Sequence, residues 1–339
     1  MVTDPHTGTR VHEIADGIYR INSPVALPGG QAFSFNQYLV VDDEPLLFHT
    51  GPRQLFAAVR DAMAAVMPVE RLRYVGLSHV EADECGSMNL WLQAAPAAVP
   101  LCGSLAAMVS MNDLADRTPR ALADGETLRL GRHELQWFDT PHVPHGWECG
   151  LAMERSTRTF FCGDLLTQAG EGAEALIERD ILGPSEAFRQ AMDYYAHAPH
   201  TRETLLRLAG ESPGTLACMH GSAWRTASLG PRLARSMSAS APSPGCVRRS
   251  PHKKVRVVRS IARPHSQPCG TCGVSNHCSS WRPSRSVSPS ASARGVRSAR
   301  SFMDTIAARL PHSGTAAGAA CSQRFIEPHS SASTCERPM

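Results

Sequence analysis

The sequence predicts a mixed α/β domain over residues 1–230, followed by a tail of different character. In the first segment, runs with the period and residue types of β-strands alternate with runs of helical period. That segment contains 28 Asp and Glu against 17 Lys and Arg, whereas residues 231–339 contain 3 against 17. The net charge of +3 over 339 residues is therefore an average of two unlike parts. The hydrophobic fraction of 42% is enough for a buried core.

For the first half of the domain, the sequence predicts two strand-forming runs, a helix, a short strand and a second helix, in that order. Residues 11–22 and 34–49 are rich in β-branched and aromatic residues, and the turn-forming stretch 42–45 interrupts the second run. Apolar residues recur at helical spacing over 54–66. A short apolar strand is predicted at 72–77, followed by a helix at 87–95.

The second half of the domain repeats this kind of order. Two similar α/β halves around a pair of sheets would accommodate all of these elements. The predicted elements are strands at 125–130, 134–138, 151–154, 159–162 and 215–219, and a helical stretch at 186–209.

Residues of the metal-ligand type follow the predicted strands. His79, Glu81 and Asp83 alternate along one loop, so they share one side of an extended chain. Each such group would cost several kcal/mol to bury without a partner, and a domain is stable by only about 5–15 kcal/mol. The pattern therefore predicts a cation. The other residues in this position are His142, Asp164 and His220.

Four short motifs resemble the metallo-β-lactamase superfamily, and within it the flavodiiron, or oxygen-binding di-iron, branch. Glu81 stands where most hydrolases of the superfamily have His, and the Tyr-Tyr-Ala segment 194–196 is similar to one in flavodiiron proteins. The resemblance covers residues 11–225 and implies a four-layer αβ/βα sandwich with a dinuclear site at the edge of two sheets. The motifs are His79-x-Glu81-x-Asp83, Pro141-His142-Val143-Pro144, Gly163-Asp164 and His220-Gly221.

The resemblance also implies a ligand set. One metal would take His79, Glu81 and His142, the other would take Asp83 and His220, and Asp164 would bridge them. A carboxylate-rich set without thiolate favours iron or manganese, although zinc stays possible.

Two positions depart from the family pattern. Glu84 stands where relatives often have His, and it could ligate the second metal, accept a hydrogen bond or point away. His49 stands where many relatives have an Asp that supports the site. Loss of such support typically costs about 10–100-fold in affinity or activity, and the alternative is that His49 substitutes for the Asp as a hydrogen-bond partner.

Other residues of the motif loops are expected to line the pocket. His145 competes with His142 for the ligand position; we expect His142 to bind metal and His145 to donate to bound oxygen species. Trp147 and Tyr195 are expected to wall the pocket, with Tyr195 as a second catalytic candidate. The cysteines of the domain are interpreted as reduced core thiols: Cys85, Cys102, Cys149, Cys162 and Cys218.

The function predicted from these residues is di-iron chemistry, in which the protein binds or reduces O2 or NO. The alternatives are a zinc-dependent hydrolase of a thioester, lactone or phosphoester, and a non-catalytic oxygen sensor. A reductase would need an external electron donor, because no flavodoxin-like domain or rubredoxin-like cysteine pairs are recognisable. With no apolar leader or membrane span in the sequence, we expect a cytoplasmic protein.

The tail, residues 231–339, is rich in Ser, Arg and Pro and poor in acidic residues, and is expected to be disordered. A basic arm for nucleic acid would fit its charge, but we favour a non-selected extension, such as a shifted reading frame. Cys269, Cys272, His277 and Cys278 resemble a zinc knuckle only superficially, because their later spacing differs from the usual pattern.

Overall fold

A computed structural model describes residues 2–225 of the chain, with side chains from residue 4 onward. The predicted tail and its cysteine motif therefore lie outside the described residues. Within 2–225, every helix is too short or too polar to span a bilayer. The described part contains two β-sheets with helices on their outer faces.

The first sheet contains eight strands in sequence order. Neighbouring strands are antiparallel from the first to the fifth and parallel from the fifth to the eighth. The strands are β1 (Val2–Asp4), β2 (Thr9–Ala15), β3 (Ile18–Ala26), β4 (Ala32–Val40), β5 (Leu46–Phe48), β6 (Tyr74–Gly76), β7 (Val99–Gly103) and β8 (Arg120–Leu122).

The second sheet contains seven strands. They are β9 (Thr127–Arg129), β10 (Glu134–Asp139), β11 (Gly150–Glu154), β12 (Thr159–Phe161), β13 (Leu176–Ile177), β14 (Thr215–Ala217) and β15 (Ala223–Arg225). Their spatial order is β13-β15-β14-β12-β11-β10-β9. The β12–β14 and β13–β15 pairs are parallel, and the other pairs are antiparallel.

Most helices of the described residues are short. They are α1 (Phe56–Ala64), α2 (Ala82–Cys85), α3 (Met88–Ala94), α4 (Ser104–Ala106), α5 (Asn112–Leu114), α6 (Leu182–Met192) and α7 (Thr201–Gly210). Two 3₁₀ turns (Arg53–Leu55 and Val69–Arg71) and a π-helical turn (Ala107–Met111) complete them.

Three apolar layers show why these elements stack as they do. Side chains of the first sheet pack with α1 and α3 in one outer layer, where Trp91 is fully buried. Leu205 and Leu208 of α7 pack on the second sheet in the other outer layer. Between the sheets, Trp137 and Phe161 of one sheet meet side chains of the other. The molecule is thus the four-layer αβ/βα sandwich predicted from the sequence.

The structure divides two of the predicted elements. Residues 11–22 form parts of two strands, because the turn at Asp16 and Gly17 reverses the chain and Gly17 adopts a left-handed φ of +67°. The helical stretch 186–209 is two helices, α6 and α7. Asp193 ends α6 in the left-handed conformation, and Pro199 could not continue a helix. The short strands β7, β8, β13 and β15 were not predicted.

Candidate metal centre

The predicted ligand residues lie where the two sheets meet at one edge. His79 follows β6 of the first sheet, while Asp164 and His220 follow β12 and β14 of the second. β12 and β14 are parallel, so their carboxyl ends point to the same edge. β10 runs in their direction too, because it pairs antiparallel with β11, which pairs antiparallel with β12. The fold therefore brings loops from both sheets to one place, as α/β proteins commonly do.

Two clusters of ligand-type atoms share Asp164. Potential ligand atoms of His79, Glu81, His145 and Asp164 lie within 4.8 Å of one another, and those of Asp83, Asp164 and His220 do the same. The two oxygens of Asp164 face different partners: Oδ1 lies 3.2 Å from Nε2 of His220, and Oδ2 lies 3.5 Å from Nε2 of His145.

His145, rather than His142, enters the first cluster, so the expected choice between them was wrong. Nε2 of His145 lies 2.9 Å from Nε2 of His79, whereas the His142 side chain is exposed. The reason is local. His142 has a left-handed φ of +64° and its N–H donates to the Gly146 carbonyl at 2.8 Å. This turn places Val143 in the core and leaves His142 outside. His145 is accordingly a candidate ligand and not a free donor to a bound molecule.

The short helix α2 supplies the acidic residues of the site. Glu81 precedes the helix at the mouth of the site, and Asp83 and Glu84 lie inside it, both buried. The loop after β5 fixes this helix, because the N–H groups of Thr50 and Gly51 donate to the carbonyls of Glu84 and Asp83, each at 2.9 Å. Glu81, Asp83 and Glu84 form a third group of mutually close carboxylates.

The candidate ligand His220, which follows the second sheet's strand β14, is held by strand β4 of the first sheet. Its Nδ1 lies 2.8 Å from the Ser34 carbonyl, so Nε2 points into the cluster. Asn36 donates from its side-chain amide to the carbonyls of Cys218 and Gly221, each at 2.8 Å. The buried guanidinium of Arg20 donates to the Gly221 carbonyl at 2.6 Å. This loop is therefore tied to strands β3 and β4 of the first sheet.

The charges of neighbouring groups strongly shift the pKa values of several side chains in the site. Burial lowers the pKa of His79. The negative charge of Glu84 is the largest of several opposing effects that together outweigh burial and hold this pKa well above its usual range. Burial likewise opposes the charge on His220, yet Asp164 and Asp83 raise its pKa to about 10. Burial and the charge of Asp83 raise the pKa of Glu84 well above its usual range. The carboxylates of the cluster therefore carry more negative charge than its imidazoles can neutralise.

Glu81 and Asp164 behave in the opposite way. Burial raises the pKa of Glu81, but hydrogen bonds with His145 and His79 outweigh it and lower the pKa to about 2. Burial also raises the pKa of Asp164, but its contact with His220 outweighs burial and leaves the pKa below its usual range. Both carboxylates are thus ionised at neutral pH.

The donor set fits two cations. Within the described residues, both carboxylate oxygens of Glu84 and Nδ1 of His145 are buried without a hydrogen-bond partner. Oδ2 of Asp83 and Oδ1 of Asp164 are also buried and share the single Nε2 of His220, at 3.3 and 3.2 Å. Unpaired buried carboxylate oxygens are costly unless a cation approaches them. Since no thiolate belongs to the clusters, the chemistry of the set suits a hard or borderline ion.

A cavity of about 410 Å³ opens onto the clusters. Apolar side chains form much of its wall, namely Phe33, Phe188 and Met192, and Tyr194 joins them. Such a wall suits a small uncharged molecule better than a charged one.

Tyr194, rather than Tyr195, faces this cavity, and Trp147 does not line it. The left-handed Asp193 turns the chain so that the Tyr194 hydroxyl donates to the Asp164 carbonyl at 2.9 Å. Tyr195 packs instead on the outer core and under the Arg189 guanidinium. Both wall assignments from the sequence were wrong: the φ of Asp193 turns Tyr194 inward in place of Tyr195, and the Trp147 side chain is exposed.

Sequence reasoning missed Ser78 and Thr167. Ser78 directly precedes His79 and bonds to its ring, while Thr167 donates its hydroxyl to the Asp164 carbonyl at 2.8 Å. Their position beside a candidate ligand was the only available signal. The five cysteines of the described region are free thiols, four of them fully buried, in agreement with their interpretation as core residues.

Comparison with known proteins gives consistent results. The family model described as ODP family beta lactamase matches residues 33–210. The rubredoxin-oxygen oxidoreductase of Megalodesulfovibrio gigas is 26% identical over 206 residues, which are 57% of this chain and 50% of that protein. The chain therefore spans about half the length of the curated relative it matches.

Solved structures show the same fold. The rubredoxin oxygen:oxidoreductase from Desulfovibrio gigas superposes with a TM-score of 0.61 at 20% identity, covering 68% of this chain and 61% of that one. The Flv1 flavodiiron core from Synechocystis sp. PCC6803 gives 0.57 at 21% identity, with 68% and 60% covered. The flavodiiron protein from Giardia intestinalis gives 0.57 at 17% identity, with the same coverage.

Proposed function

Because the chain belongs to the ODP beta-lactamase family, on the flavodiiron-like branch of the metallo-β-lactamase fold, we propose that it is a di-iron protein that binds O2 or NO and reduces it. The observation that supports this most directly is the position of Asp164, whose oxygen Oδ2 faces His145 and whose oxygen Oδ1 faces His220. A single carboxylate shared by two ligand groups suits a pair of metals close together.

The proposed ligands follow from the two clusters. One metal would be held by His79, Glu81 and His145, the other by Asp83 and His220, and Asp164 would bridge them. Glu84 is proposed as a further ligand on the α2 side, since both of its oxygens are buried and lack hydrogen-bond partners among the described residues. When bound, the two irons would supply redox chemistry toward a diatomic molecule.

The chain's own residues prepare the site for a small molecule. Tyr194 and Thr167 both donate hydroxyl hydrogen bonds to the Asp164 carbonyl, at 2.9 and 2.8 Å, and so hold the bridging residue in place. Phe33 and Phe188 stack at a centroid distance of 5.8 Å beside the cavity and keep water from one side of it.

Electrons would come from outside the described domain. The name of the Megalodesulfovibrio gigas relative couples rubredoxin to oxygen, so a rubredoxin-type protein is the first donor to test. The non-catalytic sensor is the same site without such a donor, and the two functions differ only in turnover.

Metal analysis of the full chain is the decisive experiment. We expect two irons per chain after expression in iron-supplemented medium, and an absorption spectrum that changes when O2 or NO is admitted to the anaerobic, reduced protein. Zinc in place of iron, with a featureless spectrum and hydrolysis of esters or thioesters, would replace this proposal with the metallo-hydrolase. Absence of bound metal would overturn both.

Consumption of O2 or NO by the iron-loaded chain would then be followed with a chemical reductant and with reduced rubredoxin. Turnover supports the reductase, whereas reversible binding without turnover supports the sensor. Asp164→Asn serves as the control variant, because it keeps the size of the bridging residue and removes its charge; it should retain less than one metal per chain.

A further inference from the structure

A chain of three buried side chains runs from the core to the candidate ligand His79. Nε2 of His49 lies 3.0 Å from the Ser78 hydroxyl oxygen, and this oxygen lies 2.9 Å from Nδ1 of His79. All three residues are 1% exposed. Nε2 of His79, on the opposite side of the ring, faces the other ligands.

The direction of these hydrogen bonds follows from the role of His79. A neutral imidazole that binds a metal through Nε2 carries its proton on Nδ1. This N–H then donates to the Ser78 oxygen, and the Ser78 hydroxyl donates onward to Nε2 of His49. Cys149 also approaches His79, and its thiol donates to the Val143 carbonyl at 3.2 Å; the contact that identifies Ser78 as a partner of Nδ1 is the 2.9 Å distance between the two atoms.

The surrounding backbone holds this hydrogen-bonded series of side chains in place. His49 adopts a left-handed φ of +70°, which a non-glycine residue occupies only when its surroundings fix it. Its N–H donates to the Gly76 carbonyl at 2.8 Å. Gly163 leaves room for Ser78, because a Cβ at that position would lie 3.0 Å from the Ser78 hydroxyl oxygen.

From this geometry we infer that Ser78 and His49 are positioning residues that fix the ring orientation and the Nδ1–H tautomer of His79, and so set the metal affinity of the site. The inference rests on the proposed function, since it assigns His79 as a metal ligand. Outer hydrogen-bond partners of ligating histidines typically change metal affinity by about 10–100-fold.

The affinity of the full chain for Fe(II) under anaerobic conditions provides the test, measured by competition with a coloured chelator. Ser78→Ala should weaken binding by about 10–100-fold, and Ser78→Thr, which keeps the hydroxyl, should restore most of the affinity. Ser87→Ala is the matched control, because Ser87 is also a buried serine but its hydroxyl has no hydrogen-bond partner among the described residues.

A double-mutant cycle separates this role from a general loss of packing. His49→Asn keeps a residue that tolerates the left-handed backbone but is too short to reach Ser78. If Ser78 and His49 act through the same series of hydrogen bonds, the double variant should bind Fe(II) no more weakly than whichever single variant binds it less tightly. Additive losses in the cycle would overturn the inference.

Zinc-loaded protein gives a second readout that does not depend on turnover. The ¹⁵N signals of the His79 ring should show a protonated Nδ1 in the wild type and in Ser78→Thr, with the assignment made by His79→Gln. Unchanged Fe(II) affinity in Ser78→Ala would overturn this inference and leave the proposed function intact. A wild-type chain that binds no metal would overturn both.

Discussion

The two histidines of the loop after β10 are three residues apart and lie in opposite environments. His145 meets His79 and Asp164, whereas His142 is exposed. If the chain binds two irons as proposed, we expect His145→Ala to lower the iron content to one per chain or less, because it removes a proposed ligand. His142→Ala should keep the wild-type content. Mass spectrometric metal analysis of both variants checks this, and the reverse result would mean that the loop is arranged differently in the protein.

Glu84 presents a trade-off between binding and stability. Its carboxylate is fully buried beside Asp83 and lacks a hydrogen-bond partner among the described residues. We expect Glu84→Gln to raise the melting temperature of the metal-free chain. The raised pKa of Glu84 means that folding at neutral pH must add a proton to this buried carboxyl, a cost that a neutral amide avoids. The same variant should bind metal at least about 10-fold more weakly.

The measurement is differential scanning fluorimetry with chelator and with added metal, alongside the exposed Glu70→Gln as control. A lower melting temperature of the metal-free Glu84→Gln chain would show that this carboxylate has a stabilising partner instead.

The end of strand β11 is fixed by a single carboxylate. Glu154 accepts hydrogen bonds from the backbone and hydroxyl groups of Ser156 and from the backbone of Thr157, at 2.9, 2.6 and 2.8 Å. Burial raises its pKa, but these donors outweigh burial and bring the pKa below its usual value of 4.5. The unfolded chain therefore binds this proton at a higher pH than the folded one.

The sign of the pH dependence follows. The stabilisation by Glu154 is present above pH 4.5 and is lost as the pH falls through the lower pKa of the folded state. We expect Glu154→Gln to cost about 1–3 kcal/mol at neutral pH, with a difference from wild type that shrinks below pH 4.5. Urea unfolding from pH 3 to 7 would measure it. A difference that stayed constant with pH would contradict the charge assignment.

The turn after β12 depends on a glycine for two separate reasons. Gly163 has a φ of +50°, and a Cβ there would come within 3.0 Å of the Ser78 hydroxyl oxygen. Gly125 has a φ of +76° with open space around it. Gly125→Ala should therefore cost only the left-handed strain, about 1–2 kcal/mol, and Gly163→Ala should cost more and also reduce metal content. An equal loss of stability in the two variants would show that Ser78 can move away from the added Cβ without a loss of free energy.

Considered as a whole, the molecule joins an acidic domain to a basic tail. Residues 231–339 lie outside the described residues, and their composition is rich in Ser, Arg and Pro and poor in acidic residues. A chain ending at Leu229 should therefore melt within about 2 °C of the full chain. Scanning calorimetry of the two metal-loaded proteins checks this, and a much lower melting temperature for the shorter chain would show that the tail contributes to the fold.

The layered fold and the group of residues at the site could be predicted because they follow from periodicity and from the ends of strands. His79, Asp164 and His220 each come directly after a strand, and the sheets bring them together. The choice between His142 and His145, and between Tyr194 and Tyr195, depends on left-handed backbone at His142 and Asp193. A single sequence gives no sign of such a conformation at residues other than glycine, so both choices failed.

The candidate ligands are spread along the chain from His79 to His220, and strand β14, which precedes His220, pairs with the much earlier strand β12. During synthesis, the second half of the centre cannot form until residues 215–225 have left the ribosome. A nascent chain that stops before them would expose the carboxylates of α2 without their partners. Loading of the second proposed metal would then coincide with completion of the domain, so that a second bound metal would mark chains whose last strands are in place.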